Sequence, residues 1–127
     1  NASGQLGRSD GPLDTPGLVH DVRDIGSITA GNGFSCALDT QGRALCWGSN
    51  DSGARGDGSM QSSALPSAVQ LEGSLELAAG YKHACARTER STQCWGKRLF
   101  GQLGYETGTQ TFSATPRAIQ ALEMLNR

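Results

Sequence analysis

Short apolar runs broken by glycine and polar turns extend along most of the 127 residues. "SITAG" at 27–31 and "LELAAG" at 75–80 are brief runs that end in glycine, and "FSCAL" at 34–38 alternates small and apolar side chains before a turn. "RALCWG" at 43–48 reads as the returning strand of a hairpin. Between them, Asp39 and Arg43 enclose Thr40-Gln41-Gly42, which fits a three-residue hairpin loop with Gly42 in the left-handed position of a bulge. Helical spacing occurs in one place, "RAIQALEMLNR" at 117–127, where Ile119, Leu122 and Met124 suit a helical face.

The same pattern is written more than once. Gly4-Gln5-Leu6-Gly7 recurs as Gly53-Ala54-Arg55-Gly56 and as Gly101-Gln102-Leu103-Gly104. Pro16 with Val19 recurs as Pro66 with Val69 and as Pro116 with Ile119, Ala30-Gly31 as Ala79-Gly80, and Cys46-Trp47-Gly48 as Cys94-Trp95-Gly96. The offsets are 48 to 50 residues throughout. The counterparts of the C-terminal run contain glycine or a β-like pattern, so repetition outweighs helical propensity there. The expected fold is all-β, in units of approximately 1–48, 49–96 and a partial 97–127 within one segment. About two and a half units are present, and small sheets with open edges tend to pair with something, so further units are expected beside them, from the same parent chain or from other copies.

Eighteen glycines, roughly twice the ordinary share, point to many tight turns. The net charge is −1, which gives no overall signal for nucleic acid or anionic membrane. Residues 1–80 carry four arginines against nine carboxylates, a net −5, and residues 81–127 carry seven bases against three acids, a net +4. Such a dipolar chain suits head-to-tail neighbours, although solvated surface charge explains it as simply. No apolar run approaches the ~18 residues of a membrane span.

Four cysteines stand in two pairs, Cys36 with Cys46 and Cys85 with Cys94. Zinc and redox sites favour Cys-x-x-Cys, whereas the separations here are ten and nine residues and the histidines number two, His20 and His83. If Asp39 opposes Arg43, then Cys36 opposes Cys46 across the hairpin. The second pair is opposed if its turn centres on Glu89-Arg90. Opposed residues in a non-hydrogen-bonded antiparallel pair lie close enough for a disulfide. One disulfide per unit is favoured over free buried thiols and over metal, and no metal or cofactor is expected. Disulfides would place the chain in an oxidising compartment: extracellular, periplasmic or at the cell surface.

"AGNGFSCALDTQGRALCWGSN" together with "GQLG" resembles the repeats of the regulator of chromosome condensation family. Those units of about fifty residues read Gly-Gln-Leu-Gly, Pro-x-x-Val, Ile-x-x-Ile-x-Ala-Gly, His-Ser-x-Ala-Leu, then Trp-Gly-x-Asn, and form blades of a β-propeller. Phe34 stands where the family usually has histidine, His83 keeps it, Gly53-Ala54-Arg55-Gly56 departs from Gly-Gln-Leu-Gly, and Arg87 replaces an expected leucine. The resemblance implies roughly two and a half propeller blades, with Trp47 and Trp95 packing between blades and His83 in a structural role. It does not settle function, because propellers of this family serve guanine-nucleotide exchange with chromatin docking, ubiquitin-ligase regulation and enzyme inhibition.

No Gly-x-Ser-x-Gly, phosphate-binding loop or recurring carboxylate pair is present, so the chain reads as non-enzymatic. Two sequons, Asn1-Ala2-Ser3 and Asn50-Asp51-Ser52, can accept glycans in a eukaryotic secretory pathway, while the resemblance gives Asn50 a turn-bracing role. Segments that differ between units are where recognition usually sits: 8–15, 57–65, 97–100 and 105–115. Within them Met60, Arg98, Phe100, Tyr105 and Phe112 are contact-forming residue types. The expected function is protein binding by an extracytoplasmic interaction or assembly module. The alternatives are an intracellular exchange or chromatin-binding propeller, and a secreted enzyme inhibitor or carbohydrate-binding propeller.

Overall fold

A computed structural model describes residues 1–98, 103–104 and 111–119. Eight strands follow one another: β1 (Ile25–Ala30), β2 (Phe34–Asp39), β3 (Ala44–Gly48), β4 (Ser63–Ala68), β5 (Glu76–Ala79), β6 (His83–Arg87), β7 (Thr92–Lys97) and β8 (Phe112–Ala118). They form two four-stranded antiparallel sheets, β1-β2-β3-β4 and β5-β6-β7-β8. This is the expected all-β blade architecture. The C-terminal run is strand as far as Ala118, Ile119 N–H donates to Thr92 O, and 120–127 lie outside the described residues.

Each blade is a meander of three short strands plus a fourth that arrives later in the chain. The first turn closes as the sequence implies: Asp39 N–H donates to Arg43 O at 2.9 Å, and Gly42 takes φ +83°. Asp39 Oδ1 also accepts the amides of Gln41 and Arg43, and Oδ2 accepts Arg43 Nε, so one carboxylate satisfies the whole loop. These donors hold its pKa below the ordinary aspartate value, Arg43 contributing most. In the second blade Thr88 N–H donates to Ser91 O at 2.8 Å, and Thr88 Oγ1 accepts the amides of Arg90 and Ser91. The tip is therefore Glu89-Arg90, and a threonine hydroxyl does what the aspartate does in the first blade.

The fourth strands carry proline, Pro66 in β4 and Pro116 in β8. Both strands are the outer members of their sheets, the position in which a missing N–H leaves no ladder bond unmade. Their pairing with β3 and β7 slips at a bulge, between Cys46 and Gly48 and again between Cys94 and Gly96. Each sheet thus takes its last strand from beyond the Cys-Trp-Gly of its own hairpin.

The main core lies between the blades. Phe34, Cys36, Ala44 and Cys46 of the first blade meet Ala84, Ala86 and Trp95 of the second, with Ala54 and Val69 from the connecting segment. Leu71, Leu77 and Ala79 pack at its margin. Polar links run along the seam: Ala79 N–H donates to Thr29 Oγ1, Asn32 N–H to Tyr81 O, and Lys82 Nζ to Asp51 Oδ2.

Candidate interaction site

Both hairpins are closed by cross-strand disulfides. Cys36 pairs with Cys46 in register and is bonded to it, with Cα atoms 4.1 Å apart, and Cys85 pairs with and is bonded to Cys94 at 4.0 Å. No cysteine is free. Their surroundings differ. Cys36 and Cys46 are both 0% exposed, sealed by the second blade, whereas Cys85 is half-buried on the far face of that blade.

The ring that opens each hairpin lies over a glycine. A Cβ on Gly31 would fall 2.2 Å from the Phe34 ring, and one on Gly80 would fall 2.2 Å from the His83 ring. Phe34 is 1% exposed, while His83 is half-buried. Burial holds the His83 imidazole below the ordinary histidine pKa of 6.5. Its nearest equivalent is thus a packing aromatic, as the exchange with phenylalanine implied.

The two tryptophans work alike. Trp47 Nε1–H donates to Gln5 O and Trp95 Nε1–H to Ala54 O, each at 2.9 Å. Gln5 and Ala54 are counterparts in the repeat, so every blade docks its tryptophan onto the loop that leads into it. Asn1 and Asn50 brace those loops. Asn1 Oδ1 accepts Leu6 N–H while its Nδ2 donates to Arg8 O, and Asn50 Oδ1 accepts Arg55 N–H while its Nδ2 donates to Ser59 O. Asn50 is 0% exposed.

The variable segments 8–15 and 57–65 are held from within by arginine. Buried Arg8 donates to the carbonyls of Asp10, Pro12 and Thr15. Buried Arg55 donates to Gln61 O, Leu65 O and Ser67 Oγ, and lies 3.5 Å from the Asp57 carboxylate. Neither role was legible in the sequence, because the two arginines sit at non-equivalent places in the repeat.

Of the candidate contact residues, Met60 is exposed on the Arg55-held loop, at 40%. Arg98 is half-buried and its amide donates to Thr111 O. Phe112 is half-buried at the start of β8, paired with Lys97. Phe100 and Tyr105 lie outside the described residues. Sequence reasoning passed over Tyr81, 68% exposed at the turn before β6, and Ile28, 78% exposed in β1. Ile28 faces an apolar groove of about 610 Å³ shared with Val19, Val22, Ile25, Ala37 and Trp47. Among the described residues no three His, Cys, Asp or Glu side chains converge as metal ligands, and no helix is long and apolar enough to cross a membrane.

Two four-stranded meanders stacked face to face, each anchored by a tryptophan on the preceding loop, define consecutive blades of a β-propeller. The blades are built from repeats of the regulator of chromosome condensation (RCC1) type, and residues 26–54 match that repeat directly. Human E3 ubiquitin-protein ligase HERC2 is 35% identical over 101 residues, covering 73% of this chain and 2% of HERC2. The ultraviolet-B receptor UVR8 of Arabidopsis thaliana is 29% identical over 130 residues, covering 95% of this chain and 29% of UVR8. In structure, human WBSCR16 matches 93% of the chain with a TM-score of 0.75 at 21% identity, using 32% of its own length. Prp20 of Saccharomyces cerevisiae matches 74% of the chain at 0.66 and 22% identity, using 23% of its own length. The chain thus spans less than a third of the length of HERC2 and UVR8.

Proposed function

We propose that this chain is a non-enzymatic propeller segment that binds protein outside the cytoplasm. RCC1-like propellers are in general protein-binding scaffolds, and that broad role needs no residue to do chemistry. The observation that carries the compartment is the pair of cross-strand disulfides, one per described blade, with no thiol left over. Such bonds persist where the redox poise is oxidising and are rare where glutathione keeps thiols reduced. Alkylation of thiols before lysis, followed by non-reducing peptide mapping of the native protein, tests this. Cys36–Cys46 and Cys85–Cys94 should be the links found, and four alkylated cysteines would refute the extracytoplasmic part.

The likeness to Prp20, whose structure was described together with its binding to Gsp1p and histones, favours an intracellular nucleotide-exchange or chromatin role as the second reading. Three of the cations are paired within the chain. Arg43, Lys82 and Arg87 are held by Asp39, Asp51 and Glu76. Retention on histone or small-GTPase resins in a reducing buffer would favour this second reading.

A further inference from the structure

The β1–β2 turn of the first blade lies against the β5–β6 turn of the second, and the two backbones nearly touch. Asn32 N–H donates to Tyr81 O at 2.7 Å, and a Cβ added at Gly31 would fall 2.3 Å from Gly80 O. The first of these turns is Asn32-Gly33, with Gly33 at φ +79° and its carbonyl accepting Ser49 N–H at 2.8 Å. Asn32 is exposed. Among the described residues, neither its side-chain amide nor the Gly33 N–H takes part in a hydrogen bond. The other described asparagines are held. Asn1 and Asn50 each use both side-chain amide atoms, Asn50 at 0% exposure. They are followed by Ala2 and Asp51 instead of glycine.

We propose that Asn32-Gly33 is a site of spontaneous deamidation, and that the isoaspartyl product loosens the seam between the blades. The Gly33 nitrogen attacks the Asn32 side-chain carbonyl carbon, and the new C–N bond closes a succinimide ring. The side-chain nitrogen leaves as ammonia, taking up the Gly33 amide proton by way of solvent. Water then opens the ring at either carbonyl to give aspartate or isoaspartate, and no oxidant or reductant enters. The reaction asks for a next residue without a side chain, an amide that water reaches, and a main-chain nitrogen not engaged in a hydrogen bond. The turn supplies all three. Asp10-Gly11 and Asp57-Gly58 share the glycine, but ionised carboxylates are poor electrophiles and their isomerisation leaves the charge unchanged. Isoaspartate reroutes the main chain through the former side chain and lengthens it by a methylene. The lengthened residue is the one whose N–H bonds Tyr81 O, beside the close approach of Gly31 to Gly80 O. Close-packed contacts take up an extra methylene only by shifting their neighbours, so the turn must draw back from the second blade. The aspartate product keeps the original main chain and leaves the contact in place.

Ageing the folded, oxidised chain in mildly alkaline buffer well below its melting temperature puts this to the test. Timed samples are resolved by anion exchange and peptide mapping, and isoaspartate is counted by its enzymatic carboxyl methylation. Acid should appear at residue 32 about tenfold or more faster than at Asn50, whose amide must first be released by local unfolding. Asn32→Gln, whose longer side chain closes the ring poorly, should keep its charge over the same period. The isoaspartyl fraction should melt at a lower temperature than the fresh chain. Asn32→Asp, which carries the product's charge on an ordinary main chain, should melt like the fresh chain. Retention of the Asn32 amide in the folded chain, while the urea-unfolded chain loses it, would overturn the site. Equal melting of the isoaspartyl fraction and Asn32→Asp would overturn its effect on the seam.

Discussion

The hairpins β2–β3 and β6–β7 share a register, a cross-strand disulfide and a ring laid over glycine, yet they live in different surroundings. In the first, Phe34, Cys36 and Cys46 are closed off by the neighbouring blade. In the second, His83 and Cys85 remain half-open. A blade of this kind is therefore only half specified by its own sequence. The rest of its stability comes from whatever lies against it, as in repeat proteins whose energies sum units and nearest-neighbour contacts.

The largest break in this comparison should come from the tryptophans. Trp95 is 0% exposed within the seam, so Trp95→Ala should cost about 3–5 kcal/mol in urea unfolding. Trp47→Ala should cost less, because Trp47 borders the groove beside the exposed Ile28 rather than the sealed seam. Equal losses would mean that the seam adds little. The disulfides come next. Each closes a loop of about ten residues and should stabilise by about 2.7 kcal/mol on chain-entropy grounds. Exposure then sets the order of reduction: a dithiol under native conditions should open Cys85–Cys94 before Cys36–Cys46, read by timed alkylation and mass spectrometry.

Acid should sharpen the difference further. The folded state resists protonation of His83, whose pKa lies below 6.5, so the unfolded chain binds the extra proton first. Stability should be complete above about pH 6.5 and decline as pH falls toward the folded value. Thermal melts of His83→Phe, which installs the first blade's ring, should be flat across that interval. The carboxylates with lowered pKa, such as Asp39, Asp51 and Glu76, act only at lower pH. The smallest effect is expected at Asp24, which takes φ +53° where the second unit has Gly73 at +69°. Asp24→Gly should raise stability by about 1 kcal/mol or less, measured in the same urea titrations.

Much of the fold was legible because it is repeated. Anchors such as Cys-Trp-Gly and Ala-Gly fixed the period, and the Asp39–Arg43 turn fixed the register that puts Cys36 against Cys46. β4 and β8 were harder to read. "SALPSA" and "FSATPRA" hold a proline each and lack clean alternation, and they belong to the sheet of the preceding hairpin, so strand membership crosses the repeat frame. The candidate surface was read less well. Loop residues such as Met60 stood out by type, whereas Ile28 lies inside the brief run "SITAG", where nothing in the sequence marks it as 78% exposed.

Arg55 has a consequence for how such a protein can diversify. Its guanidinium reaches inward to Gln61 O, Leu65 O and Ser67 Oγ, and two of these three acceptors are backbone atoms that any residue supplies. The loop's path is thus held from its base, by Arg55 together with Asn50 and Asp57. Exposed tip residues such as Met60 can be exchanged without redrawing that path, whereas Gly58 takes φ +85° and Ser62 Oγ accepts the Asn50 amide, and Arg8 offers the same freedom at exposed Leu13. A randomised library confined to those tips would sample new surfaces on an unchanged frame.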